Sequence, residues 1–92
     1  MAIQLRELIE LVMSDTRVRL FMNKHGINTH RYMQMLNDLG PIEIETFDDF
    51  QREYDRILIE YKDRLSLLEQ RVLRDERPII NALVLEIFNK IV

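Results

Sequence analysis

Between Thr46 and Arg77, apolar residues recur at helical spacing with no Gly or Pro to interrupt them. The stripe Phe47, Phe50, Tyr54, Ile57, Tyr61, Leu65, Leu68 and Val72 advances in steps of three and four, the signature of an amphipathic helix. Thr46 followed by Asp49 is a capping-box signal at its start, and Pro78 marks its end. A single helix over 46–77 would be about 48 Å long, while a domain of this size has a radius of gyration of about 12 Å. Such a helix must bend back, project from the fold, or pair with another chain. The stripe slips out of strict heptad register near Tyr61, which favours a bundle helix over a supercoiled zipper. Asp48, Arg52, Arg56, Glu60 and Arg64 follow one another four apart on its outer side, as expected of a solvated, ion-paired face.

Upstream, the pattern predicts three short helices. Ile3, Leu5, Leu8, Ile9, Val12 and Met13 fill one face of the first, and Ser14 or Asp15 can cap the next. The second, from Thr16 to about His25, turns Val18, Phe21 and Met22 inward and stops at Gly26. Asn28 caps the third, which ends near Gly40 because Pro41 cannot continue it. Ile42 to Glu45 alternates apolar and acidic residues and reads as a linker tucking two isoleucines into the core, in preference to an edge strand. A last helix begins about Pro78. Ile80, Leu83, Val84, Ile87 and Ile91 fill one face, and Ile79, Leu85 and Phe88 lie off it. A helix apolar around most of its girth requires burial on several sides, inside its own fold or between subunits. The chain stopping on Ile91 and Val92 also raises the expectation of a fragment of something longer.

Ninety-two residues with two glycines and two prolines make one all-α domain over 1–92, a small helical bundle with a modest core. The absence of cysteine excludes disulfides, thiolate nucleophiles and cysteine-based zinc sites, and a reducing cytoplasm is the expected location. No signal-peptide pattern and no membrane-spanning apolar run is present in the sequence. The net charge of −3 is unevenly spread, near +1 over residues 1–40 and near −4 over 41–92, so no long basic face is available for a phosphate backbone.

Residues that carry chemistry are sparse. His25 and His30 flank a turn with no carboxylate at ligand spacing, so no metal site is expected. The acidic pairs Asp48–Asp49, Asp75–Glu76 and Glu43–Glu45 sit where helix starts and turns place negative charge. No phosphate loop, serine-nucleophile motif or HExxH pattern occurs, and neither an enzyme nor a cofactor is expected.

The expected function is therefore a non-catalytic interaction module, a regulator or adaptor acting as a homodimer. Tyr54, Ile57, Tyr61, Leu65, Leu68, Ile80, Leu83, Val84, Ile87 and Ile91 would form the interface between subunits. Phe21, Met22, Tyr32, Met33 and Met35 would offer an adaptable apolar surface to another protein. One alternative is a dimeric helix-turn-helix-like DNA-binding repressor reading bases through His30, Arg31, Gln34 and Asn37. Another is a self-assembling structural or scaffolding subunit.

Overall fold

A computed structural model of the chain describes residues 2–27 and 29–91; the side chains of Thr29 and Tyr32 lie outside the described set. Six α-helices form a small bundle, as the all-α reading requires: α1 (Leu5–Ser14), α2 (Thr16–Lys24), α3 (Thr29–Leu39), α4 (Phe47–Glu60), α5 (Leu67–Asp75) and α6 (Arg77–Ile91). The three short N-terminal helices fall where apolar spacing placed them. Asp15 caps α2 by accepting a hydrogen bond from the Arg17 backbone N–H at 2.8 Å. Gly26 ends that helix at φ 68°, a left-handed conformation that glycine adopts without steric cost. The expected cap of α3, Asn28, lies outside the described residues.

Residues 42–45 depart from the linker expectation. Strand β1 (Ile3–Gln4) pairs antiparallel with β2 (Glu43–Ile44), in the register Ile3 with Ile44 and Gln4 with Glu43. Leu5 N–H adds a bond to the Ile42 carbonyl at 2.7 Å. This ribbon fastens the start of α1 to the connection between α3 and α4. It also carries Ile44 into full burial, with Ile42 packed against the core, as the alternation implied.

The largest correction concerns 46–77, which is two helices joined by a bend. The capping box at Thr46 and Asp49 starts α4 as expected. That helix ends at Glu60, and a single 3-10 turn follows over Lys62–Arg64. Ser66 then opens α5 with a second capping box. Its hydroxyl accepts from the Glu69 N–H at 3.1 Å, and the Glu69 carboxylate accepts from the Ser66 N–H at 3.0 Å. Local side-chain bonds thus satisfy the donors that a continuous helix would have bonded internally, and Gln70 Nε2 donates to the carbonyls of Lys62 and Leu65. The outer ion pairs change accordingly. Arg56 binds Glu60 and Glu53, but Arg64 leaves the stripe for Asp38 on α3 at 2.6 Å.

Bending lets every element fit a body of 34 × 26 × 21 Å with a radius of gyration of 12.3 Å. The core draws on Leu5, Leu8 and Val12 of α1, Val18 and Met22 of α2, Met35 and Leu36 of α3, and Phe50 and Tyr54 of α4. Val72 of α5, Val84, Ile87 and Phe88 of α6, and Ile27, Ile44 and Leu65 from between the helices complete its described part. The C-terminal helix buries Val84, Ile87 and Phe88 within its own chain. Phe88, which lay off the expected face, meets Phe47 with ring centroids 6.5 Å apart, while Ile79 and Leu85 stay exposed.

Candidate functional site

Residues of α1, α2, α4 and α6, with Leu36 of α3 and Leu73 of α5, line an apolar groove. It holds a cavity of about 100 Å³. Leu5, Val12, Val18, Tyr54 and Val84 are buried in its walls. Half-buried Ile9, Met13, Phe21, Ile57, Ile80 and Leu83 surround its mouth. Each wall follows from the three-to-four spacing of its helix, which puts one apolar stripe inward. Among the described residues, Glu53 is the only ionisable side chain of the lining apart from the Tyr54 phenol, and it is held by Arg56 at 3.3 Å.

Polar contacts fix the spacing of the walls. Arg17, at the start of α2, bonds Asp15 and reaches across to Glu86 of α6 at 2.9 Å. The hydrogen bonds from its guanidinium are the main reason that both carboxyls sit below their ordinary range. At the α4–α6 contact, Arg77 lies over the Tyr54 ring, 4.4 Å from its centroid, and donates to Asp55 and to Gln51. Gln51 and Asn81 close this cluster by a reciprocal amide pair at 3.0 and 3.2 Å. The Tyr54 hydroxyl donates to the Leu73 carbonyl of α5, and burial raises the pKa of that phenol. It serves as a brace between helices.

The structure brings together residues that sequence reasoning had assigned to two separate surfaces. Phe21 and Met22, expected to meet a partner protein, line the same groove as Tyr54, Ile57, Ile80, Leu83 and Val84, expected to meet a second subunit. The other assigned positions are not part of it. Met35 is buried in the core and Met33 is half-buried against it. Tyr32 lies outside the described side chains. Leu65 and Ile87 are buried within the chain, Tyr61 and Ile91 are half-buried against the core, and Leu68 is exposed beside the bend. Ile9, Met13 and Leu73 were missed as site residues. Ile9 and Met13 were marked only by their place on the apolar stripe of α1, which fits a closed core equally well, and Leu73 lies off the stripe read from the sequence.

The base-reading set does not assemble as a basic face. His30, Gln34 and Asn37 are exposed along α3, with Gln34 Nε2 3.3 Å from His30 Nε2. Arg31 is half exposed but engaged by its own chain, donating to the Glu69 carboxylate at 3.1 Å and to the Arg64 carbonyl at 2.8 Å. The cation that would lead phosphate or guanine recognition is thus committed to the α5 cap. His25 stacks on Phe21 with ring centroids 4.6 Å apart. Among the described residues no group of three His, Cys, Asp or Glu is placed to hold a metal, and no helix is long and apolar enough to cross a membrane.

Without a nucleophile–base pair or a ligand cluster in its lining, the groove offers apolar contact area and shape. No family model, no curated protein and no solved structure matches the chain.

Proposed function

We propose that the chain is a non-catalytic interaction module, a regulator or adaptor, whose groove seats the apolar face of an amphipathic helix from another protein. The observation that supports this reading is the open apolar mouth formed by Ile9, Met13, Phe21, Ile57, Ile80 and Leu83. Apolar side chains grouped at an open surface mark interaction sites and ligand grooves. A cavity of about 100 Å³ has room for one large aliphatic or aromatic anchor. The surrounding mouth suits the neighbouring positions of an i, i+4, i+7 pattern. Met13 and Met22 can adjust their unbranched side chains to the anchor's shape.

The test is selection of helical peptides from a displayed amphipathic library against the full chain, followed by mapping of the bound surface by NMR. The expected result is a set of peptides sharing one bulky anchor. They should perturb the methyl groups of Ile9, Met13, Ile57, Ile80 and Leu83, and bind Phe21→Ser at least tenfold more weakly. Peptides that map elsewhere, or that bind Phe21→Ser unchanged while that variant remains folded, would overturn the reading. A cavity that takes small apolar molecules but no peptide would assign it to a ligand instead.

A further inference from the structure

We infer that the bend at Tyr61–Ser66 is a hinge, and that the chain forms a domain-swapped dimer in which α4 and α5 straighten into one helix and each copy's α5–α6 unit docks on the other copy. The occupant of the vacated face is a second copy of this chain. This inference is independent of what the groove binds.

Three observations converge on the hinge. Residues 61–66 contain neither Gly nor Pro, and the stripe runs through them in unbroken helical steps from Ile57 to Tyr61, Leu65, Leu68 and Val72. A straight helix is therefore compatible with every residue of the bend, and its i−4 carbonyls would take the backbone donors that caps now satisfy. The bent form also carries local costs. The Oε2 atom of buried Glu69 has no hydrogen-bond partner. Ile59, Leu67 and Leu68, at 72%, 83% and 46% exposure, gather around the bend, and Leu68 belongs to the very stripe that is buried on either side of it. In a swapped dimer the two hinge segments run past each other, and each stripe gains a facing surface where Leu68 now meets water.

Beyond the hinge and the caps and carbonyl bonds around it, the fold keeps its contacts. The contacts of α5 and α6 with α1 and α4 are remade between copies, which is why swapping through a hinge has a low thermodynamic threshold. The groove would then be composite. One copy supplies Leu5, Val12, Phe21 and Ile57, and the other supplies Ile80 and Leu83.

Leu67 provides a discriminating substitution. It is the first residue of α5, is exposed, and follows Ser66, whose φ of −68° and ψ of 162° suit a residue before proline. Leu67→Pro is thus compatible with the bent chain and incompatible with an unbroken helix over 46–77. Ser66→Ala has the opposite effect, removing the cap that holds the bend. The full chain and both variants would be unfolded in denaturant, refolded across a hundredfold range of concentration, and weighed by light scattering, with circular dichroism to verify folding. The expected result is a slowly exchanging dimer in the parent chain. Its fraction should rise at least threefold in Ser66→Ala and fall at least tenfold in Leu67→Pro. Absence of dimer in both the parent and Ser66→Ala would overturn the inference, as would a dimer equally abundant in folded Leu67→Pro, which would be a side-by-side assembly. Should Leu67→Pro not fold, the Ser66→Ala increase alone decides.

Discussion

Arg31 and Glu69 offer the sharpest test of how α3 is joined to the bend. Glu69 is 4% exposed, and its Oε1 atom accepts both the Ser66 N–H at 3.0 Å and the Arg31 guanidinium at 3.1 Å. Removing the cation in Arg31→Ala leaves a buried carboxylate with one backbone partner and also frees the Arg64 carbonyl. Breaking a fully buried pair costs about 3 to 5 kcal/mol. Here half of the Arg31 side chain is in contact with solvent, so water can replace part of what is lost. The expected destabilisation is about 1.5 kcal/mol, which in a domain of this size lowers the melting midpoint by about 9 °C.

Glu69→Gln keeps an oxygen for the Ser66 N–H and removes the charge, and its expected cost is about 1 kcal/mol. The double variant Arg31→Ala/Glu69→Gln contains no uncompensated carboxylate. It should therefore be more stable than the sum of the single losses by about 1 kcal/mol. Urea unfolding followed by circular dichroism at low chain concentration measures all four corners of this cycle, provided the slope with denaturant stays constant. Additivity within about 0.3 kcal/mol would refute the reasoning. Arg31 would then be uncoupled from Glu69, and its availability to another ligand would have to be reopened.

Three further outcomes follow from separate parts of the fold. Leu8→Ala, at a fully buried position of α1, should cost about 3 kcal/mol in urea unfolding, since the surrounding helices can close only part of the space. Gly26→Ala should cost about 1 kcal/mol in the same assay. The nearest atom to an added Cβ is Leu68 Cδ2 at 3.8 Å, so the loss is conformational, and Gly26→Asn should recover part of it. Arg17→Gln should narrow the pH range of stability. The folded-state pKa values of Asp15 and Glu86 are lowered by Arg17, so their contribution is present above the ordinary carboxylate range and disappears as the pH falls through the folded values. Melting curves from about pH 6 to about pH 2 should show parent and variant differing at the upper end and converging at the lower. A constant difference across that range would count against the Arg17 bridge.

What the sequence made legible was local. Asp15, Gly26, Thr46 with Asp49, and Pro78 each act on backbone groups within a turn of themselves, so helix limits set by them could be read one residue at a time. The β-ribbon could not, because it joins two dipeptides from opposite ends of the N-terminal half. Arg31 was read as a base-contacting residue for the same reason, since its partner Glu69 lies 38 positions away. The groove was half legible. Periodicity selected nearly all of its lining side chains, yet it carried no information that the stripes of α2 and α6 would face each other across a cavity and not across a second subunit.

The misreading of 46–77 has a different origin. Ser66 and Glu69 stand at capping-box spacing, and that signal was available. An apolar stripe continues through it unchanged, so a cap and an uninterrupted stripe describe two conformations that the same residues support. A side-chain cap contributes about 1 kcal/mol, and each residue of 61–66 costs well under 1 kcal/mol to place in a helix. The choice between bent and straight is therefore set by long-range contacts: α5 folded onto α4 through Tyr54 and Leu73, and Arg31 and Asp38 holding Glu69 and Arg64 from α3. A second copy can supply those same contacts, so the step at which sequence periodicity fails to determine the fold is also the step at which chain concentration can.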